Sequence, residues 1–370
     1  MRKALRRIDG GTSLVMDSLR LGAALVVLVL HASDMWFPDV AHSPDQAGNA
    51  SHAAVVVFFV LSGFVIAFTT STRHQTLDNY LIARFSRLCS LVVPALLLTA
   101  LVEVALRIQA DPSLMETYVR GAFGPRYLIS GLFLNEIWFF SAAPPANIAL
   151  WSLSFEFWYY VIFGLWFCTG RGWMSWLLAL GACLIAGPKI LVMMPIWLMG
   201  CAAYRLPRPA IRPGFAWALA AVSGALAFWA ALALDPWPFF IGDAPFYFAN
   251  QFVTDWVVGL CLATALWLLP PVTSGSTSKP ISPAFVKRVR ALADLTFPIY
   301  VFHFPLLVLV RVVFGNHVGD PVQFGLAILG ALVVSSVLGM MLERQRANWT
   351  RFFAWMFSTF QARIGRQFAR

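Results

Sequence analysis

Leu19–Phe37 reads LRLGAALVVLVLHASDMWF, an apolar run broken only by Arg20, His31 and Asp34. As an α-helix it rises about 29 Å, close to the ~30 Å hydrocarbon core of a bilayer. Similar stretches recur along the chain, near 15 to 37, 53 to 72, 88 to 107, 148 to 169, 173 to 187, 190 to 204, 214 to 234, 247 to 270, 293 to 313 and 322 to 342. The 370 residues are 59% apolar and 12% charged, and the mean hydropathy is +0.73. A soluble domain carries about twice that share of charge, so a soluble globular fold is excluded. The reading is an all-α polytopic transmembrane bundle of about ten spans.

The net charge of +10 raises the question of nucleic acid, but the Lys and Arg lie between the apolar blocks, which excludes such a partner. With the N-terminus in the cytoplasm, twenty-one of the 27 fall in cytoplasmic segments. Only Arg120, Arg126 and Lys189 fall on the opposite side, so the positive-inside rule predicts both termini cytoplasmic. Residues 1–13 are then a basic cytoplasmic N-terminus, 14–345 the transmembrane domain and 346–370 a basic cytoplasmic tail. No small-x-small cleavage site follows the first span, so it is expected to be retained. Residues 127–140 are apolar but too short to cross, and are expected to be re-entrant or interfacial. Val272 to Pro283 (VTSGSTSKPISP) reads as a flexible linker. The five cysteines show no CxxC or His-partnered spacing, so neither a disulfide framework nor a metal site is expected.

An ionisable side chain inside a span costs about 2.5 to 3.5 kcal/mol on insertion scales, so those present should face the bundle interior. Asp17, Arg20, His31 and Asp34 cluster in the first span. Eleven steps of about 100° bring His31 to within about 20° of Arg20, some 16 Å further along the axis. Asp17 and Asp34 each sit three residues from one of these, close enough to orient Arg20 and to fix the tautomer of His31. Two locally neutralised pairs that only pack the bundle would show the same pattern.

The Arg20 to His31 spacing resembles the R-x10-H signature of the acyltransferase-3 family of integral membrane acyltransferases. Val57 to Ile66 (VFFVLSGFVI) is similar to that family's FFVLSGF stretch, and Arg84-Phe85-Ser86-Arg87 with Pro94 to its basic cytoplasmic motif. Trp151 to Tyr160 (WSLSFEFWYY) resembles its WSLxxExxY motif, Phe297 to Pro305 (FPIYVFHFP) its SYxIYLxHxP motif, and Glu343 a terminal Glu. Pro298 stands where the family has Tyr, Phe157 where a second Glu is common, and no Pro follows Glu343. The soluble esterase-like domain of some relatives is not expected.

The resemblance implies transfer of an acyl group, usually acetyl, from cytoplasmic acyl-coenzyme A to a hydroxyl of a sugar or lipid-linked glycan. Acyl-coenzyme A is then a cosubstrate, with no tightly bound cofactor and no metal. Membrane lipids and a carbohydrate acceptor are the expected partners, and a bacterial inner membrane is the expected location. Guanidinium groups bind phosphate through rigid paired donors, which makes Arg84, Arg87 and Arg20, with Asp17, the donor-binding candidates. His31 is the candidate base, oriented by Asp34, although transient acylation of His31 satisfies the same residues. His303 and Glu156 complete the catalytic candidates, with Trp151, Ser152 and Tyr300 as acceptor-binding candidates. His42, His52, His74 and His317 are expected to be solvated, and Glu103, Asp255 and Asp294 to pair with Arg107, Arg290 or Arg311. A secondary transporter or flippase would also place charges at mid-membrane, but it predicts inverted halves that the chain does not display. A noncatalytic scaffold is the third reading.

Overall fold

The computed structural model describes residues 10–41, 47–72, 76–109, 111–170, 172–270 and 282–368. Apart from two 3-10 segments, Pro145–Leu150 and Tyr247–Ala249, the regular elements among them are α-helices. In chain order these are α1 (Gly10–Trp36), α2 (Pro38–Ala41), α3 (Ala47–Thr72), α4 (Leu77–Gln109), α5 (Pro112–Tyr118), α6 (Phe123–Gly131), α7 (Trp151–Cys168) and α8 (Trp173–Ala186). They continue as α9 (Pro188–Arg205), α10 (Pro213–Ala233), α11 (Phe252–Leu268), α12 (Pro283–Ala293), α13 (Thr296–Phe314), α14 (Pro321–Glu343) and α15 (Arg346–Phe368). Each of the ten apolar stretches contains one of these helices, and seven helices among the described residues are long and apolar enough to cross a membrane. The fold is therefore that of a multi-pass helical membrane protein. The fourteen residues of α8 rise only about 21 Å, so length alone does not carry it across.

The chain divides into two compact units. The first comprises residues 1–73, 188–300 and 316–330, and its centre is the crossing of α3 and α9. Without a hydrophobic force between helices in lipid, close association depends on small residues that let backbones approach. Gly63 and Gly200 supply them: a Cβ on Gly63 would lie 1.9 Å from the Trp197 carbonyl oxygen, and one on Gly200 2.0 Å from that of Val60. Trp197 Nε1 donates to Ser62 Oγ at 3.2 Å across the same crossing, and Cys201 Sγ donates to the Gly63 carbonyl at 3.1 Å. The Ser-Gly of FFVLSGF is thus a packing device. The obstacles are backbone atoms that cannot rotate away, so Gly200→Ala must force the two helices apart. A loss of about 1 to 3 kcal/mol or more is expected, read as a lowered Tm of the detergent-purified protein.

The second unit comprises 74–187, 301–315 and 331–370. Its α4 has 33 residues and rises about 50 Å, so it outreaches the hydrocarbon core. The expected span begins near residue 88; the helix begins eleven residues earlier because Asp78, Asn79, Arg84 and Arg87 keep Leu77–Arg87 out of an apolar count. The segment read as a basic tail forms α15, whose Phe353 and Phe357 pack on Phe85 of α4 at 5.8 and 6.5 Å. Residues 127–140 hold the end of α6 followed by turns, with Phe133 and Trp138 at positive φ. The nine residues of α6 rise only about 14 Å, so this segment contains no spanning helix. Most of the stretch Val272 to Pro283 lies outside the described residues.

Candidate active site

In the first unit, α1 turns one stripe outward. Ser18, Gly22, Val26 and Val29 are exposed, whereas Met16, Ala24, Val27, Leu28 and Met35 are buried. At about 100° per residue the exposed stripe lies on the side opposite Arg20 and His31, which are half-buried, as are Asp17 and Asp34. All four therefore occupy the side of the helix turned toward protein, and the shared face expected from their spacing is present. Asp17 accepts a hydrogen bond from Ser13 Oγ at 3.2 Å, and Ser13 accepts one from Arg290 of α12 at 3.3 Å. Trp36, at the end of α1, donates through Nε1 to Gln323 at 2.8 Å, and its carbonyl accepts from the Gly319 N–H at 2.7 Å. These bonds anchor the turn that follows Asp34.

In the second unit, α4 and α7 bring together residues that lie far apart in the chain. The Arg84 guanidinium lies over the rings of Tyr80 and Tyr160, at 5.6 and 5.9 Å, and Tyr160 donates its hydroxyl hydrogen bond to Glu156. Arg84, an expected donor-binding residue, and Glu156, an expected catalytic residue, thus meet through Tyr160. Ser152, Glu156 and Tyr160 are spaced by four and share one side of α7, as the i−4 relation of Ser152 to Glu156 requires. The Ser152 hydroxyl donates back to the Ala149 carbonyl at 3.5 Å.

The other side of α7 holds the segment that follows α6. Ser154 Oγ and Trp158 Nε1 both donate to the Phe133 carbonyl, at 2.8 and 3.1 Å. Phe157 stacks on Phe133 with ring centres 4.7 Å apart and planes 5° from parallel, and Phe85 stacks on its opposite face at 5.0 Å. The residue that departs from the family's second Glu is therefore the middle ring of a three-ring stack joining α4, α7 and the loop. Such offset pairs each add about 0.5 to 1.5 kcal/mol beyond area burial. Trp151 is buried and meets Phe155 edge-on at 5.2 Å. The sequence alone left packing and sugar stacking equally open for it.

His303 of α13 is fully buried, two residues before Pro305. Tyr300 groups with the first unit, where it meets Phe58 of the FFVLSGF stretch edge-on at 5.4 Å. Beside His303, Asn147 was missed by sequence reasoning. It is fully buried at a kink in the 3-10 segment before α7, and its Nδ2 donates to Thr99 Oγ1 and to the Val301 carbonyl, both at 3.1 Å.

Two expectations are corrected. His52 is not solvated: it is 5% exposed within α3, and its Nε2 lies 2.8 Å from Oδ2 of Asp255, which is itself buried. Asp255 therefore pairs with a histidine and with Gln251 Nε2 at 2.9 Å, not with an arginine. Lys189 is fully buried at the start of α9 with its ammonium 5.3 Å from the Tyr247 ring centre. Helix α3 begins at Ala47, well before its apolar run near 53, so His52, which looks terminal, is inside. Glu103 does pair with Arg107, at 2.7 Å, and also accepts from the Tyr127 hydroxyl at 3.0 Å. Arg311 donates to the Tyr118 hydroxyl at 2.9 Å. His317 is exposed as expected, whereas His42 and His74 lie outside the described residues.

Seven helices long and apolar enough to cross a membrane define the chain as a multi-pass integral membrane protein. The sequence model of the acyltransferase-3 family, described as an acyltransferase domain, matches residues 14–340, and the chain belongs to that family. Among curated proteins the chain is similar to acyltransferase MdmB of Streptomyces mycarofaciens, at 30% identity over 160 residues. That match covers 41% of this chain and 38% of the relative. No solved structure matches.

Proposed function

We propose that the protein transfers an acyl group, acetyl by preference, from cytoplasmic acyl-coenzyme A to a hydroxyl of a sugar or lipid-linked glycan, in a bacterial inner membrane. The observation that carries this reading is the α1 face, on which Arg20 and His31 lie opposite the exposed stripe of Val26 and Val29. His31 takes the proton from the acceptor hydroxyl as its oxygen attacks the thioester carbonyl carbon. The carbon–sulfur bond breaks, and the departing thiolate regains the proton as the coenzyme A thiol. Asp34 orients the imidazole and Arg20 draws the thioester inward. Arg84 and Arg87 take the phosphates of the donor, with Glu156 and Tyr160 keeping the guanidinium of Arg84 in place. Ser152, Trp151 and Tyr300 serve the acceptor, and His303 stabilises the thioester oxyanion.

The test is purified protein in proteoliposomes supplied with radiolabelled acetyl-coenzyme A and candidate glycans. Label on a glycan hydroxyl is expected. Glycan or acetyl flux without covalent label would overturn the enzymatic reading in favour of a carrier. Charge-assisted hydrogen bonds to phosphate contribute about 1.5 to 3 kcal/mol each. The Arg84→Gln, Arg87→Gln double variant should therefore raise KM for acetyl-coenzyme A by about tenfold or more while leaving KM for the acceptor unchanged. An unchanged donor KM in initial-rate measurements removes the two arginines from the donor site.

A further inference from the structure

We infer that Asn147 is a positioning residue for His303, acting by bonding the backbone carbonyl that Pro305 leaves open. The inference rests on the proposed role of His303 and adds a residue to it. In an uninterrupted helix the Val301 carbonyl would accept from the N–H of residue 305. That residue is proline, which has no N–H, and its ring pushes against the carbonyl four residues back. In lipid such a carbonyl must find a donor within the protein, because water is not there to supply one. Asn147 Nδ2 is that donor at 3.1 Å.

The amide's orientation follows from its partners. A backbone carbonyl can only accept, so the nitrogen must face it, and the second N–H reaches Thr99 Oγ1 at 3.1 Å. Thr99 in turn donates to the Ala95 carbonyl at 2.7 Å, which leaves its lone pairs to Asn147. Three elements are tied at one point: α4 through Thr99, the kinked entry to α7 through Asn147, and α13 through Val301. His303 lies midway between Val301 and Pro305, in the turn whose ladder the proline interrupts, and is fully buried. A bend at proline is set by whatever replaces the missing bond, so the direction of the His303 side chain depends on Asn147. Among the described residues the Asn147 Oδ1 is buried without a hydrogen-bond partner, so the amide makes its contacts through its donor side.

Two arms test this. A double-mutant cycle on thermal unfolding compares Asn147→Ala, Pro305→Ala and the pair. Asn147→Ala should lower Tm by a few degrees in the native background and by much less in the Pro305→Ala background, where the backbone itself supplies the N–H. Equal losses in both backgrounds overturn the inference. In the second arm, Asn147→Ala should lower kcat by about tenfold or more with KM for acetyl-coenzyme A within about twofold, and Asn147→Asp, which keeps the shape but not the donor, should behave alike. The ¹⁵N imidazole resonances of His303 should move in both variants. Unmoved resonances, or an unchanged kcat in a protein that transfers acetyl, defeat the positioning role. If the native protein transfers no acetyl group, the functional reading fails, while the cycle and the resonances still decide the link from Asn147 to His303.

Discussion

Replacing His31 by alanine is expected to slow acyl transfer by about 100-fold to 10,000-fold, the contribution of a positioned base to proton removal in the transition state. The folded state should survive. His31 is half-buried on α1, and alanine is the better helix former. The effect should appear in kcat with either substrate saturating, because the imidazole acts on the hydroxyl only as the new bond forms. Asp34→Asn should cost less, since it disturbs the tautomer and orientation of the ring without removing it. Initial rates of label transfer, measured beside Tm for each variant, separate a chemical defect from a folding one. A His31→Ala protein that transfers label at the native rate would end the assignment.

What could be read from the sequence was what repeats at short range. The face of α1 was legible because its exposed residues, Ser18, Gly22, Val26 and Val29, recur at helical spacing and leave the ionisable residues on the other side. The helical character of all ten apolar stretches was legible for the same reason. Tertiary partners were not legible. His52 and Asp255 are 203 positions apart, Asn147 and Val301 are 154 apart, and no local pattern ties either pair. Tyr160 was visible in WSLSFEFWYY, but its link to Arg84 needs the packing of α4 on α7. The polar starts of α3 and α4 were misplaced for one reason. An apolar count finds the middle of a membrane helix, whereas helix ends extend into regions where polar residues are tolerated or are paired inside the protein.

The buried pair of His52 and Asp255 should carry the largest single stability effect in the first unit. The carboxylate of Asp255, 1% exposed, accepts from two donors, His52 Nε2 at 2.8 Å and Gln251 Nε2 at 2.9 Å. Removing one partner of a buried pair leaves the other desolvated with less compensation, at a cost of up to about 3 to 5 kcal/mol. Replacing both by apolar groups of similar volume often costs little, because no stranded charge remains. His52→Leu and Asp255→Leu should therefore each lower Tm sharply, while the double variant should be more stable than either. The ordering distinguishes this pair from a merely crowded site, in which the two losses would add. Single variants within about 0.5 kcal/mol of the native protein would show that water reaches the pair, and α3 and α11 would then need another explanation for their union at this end.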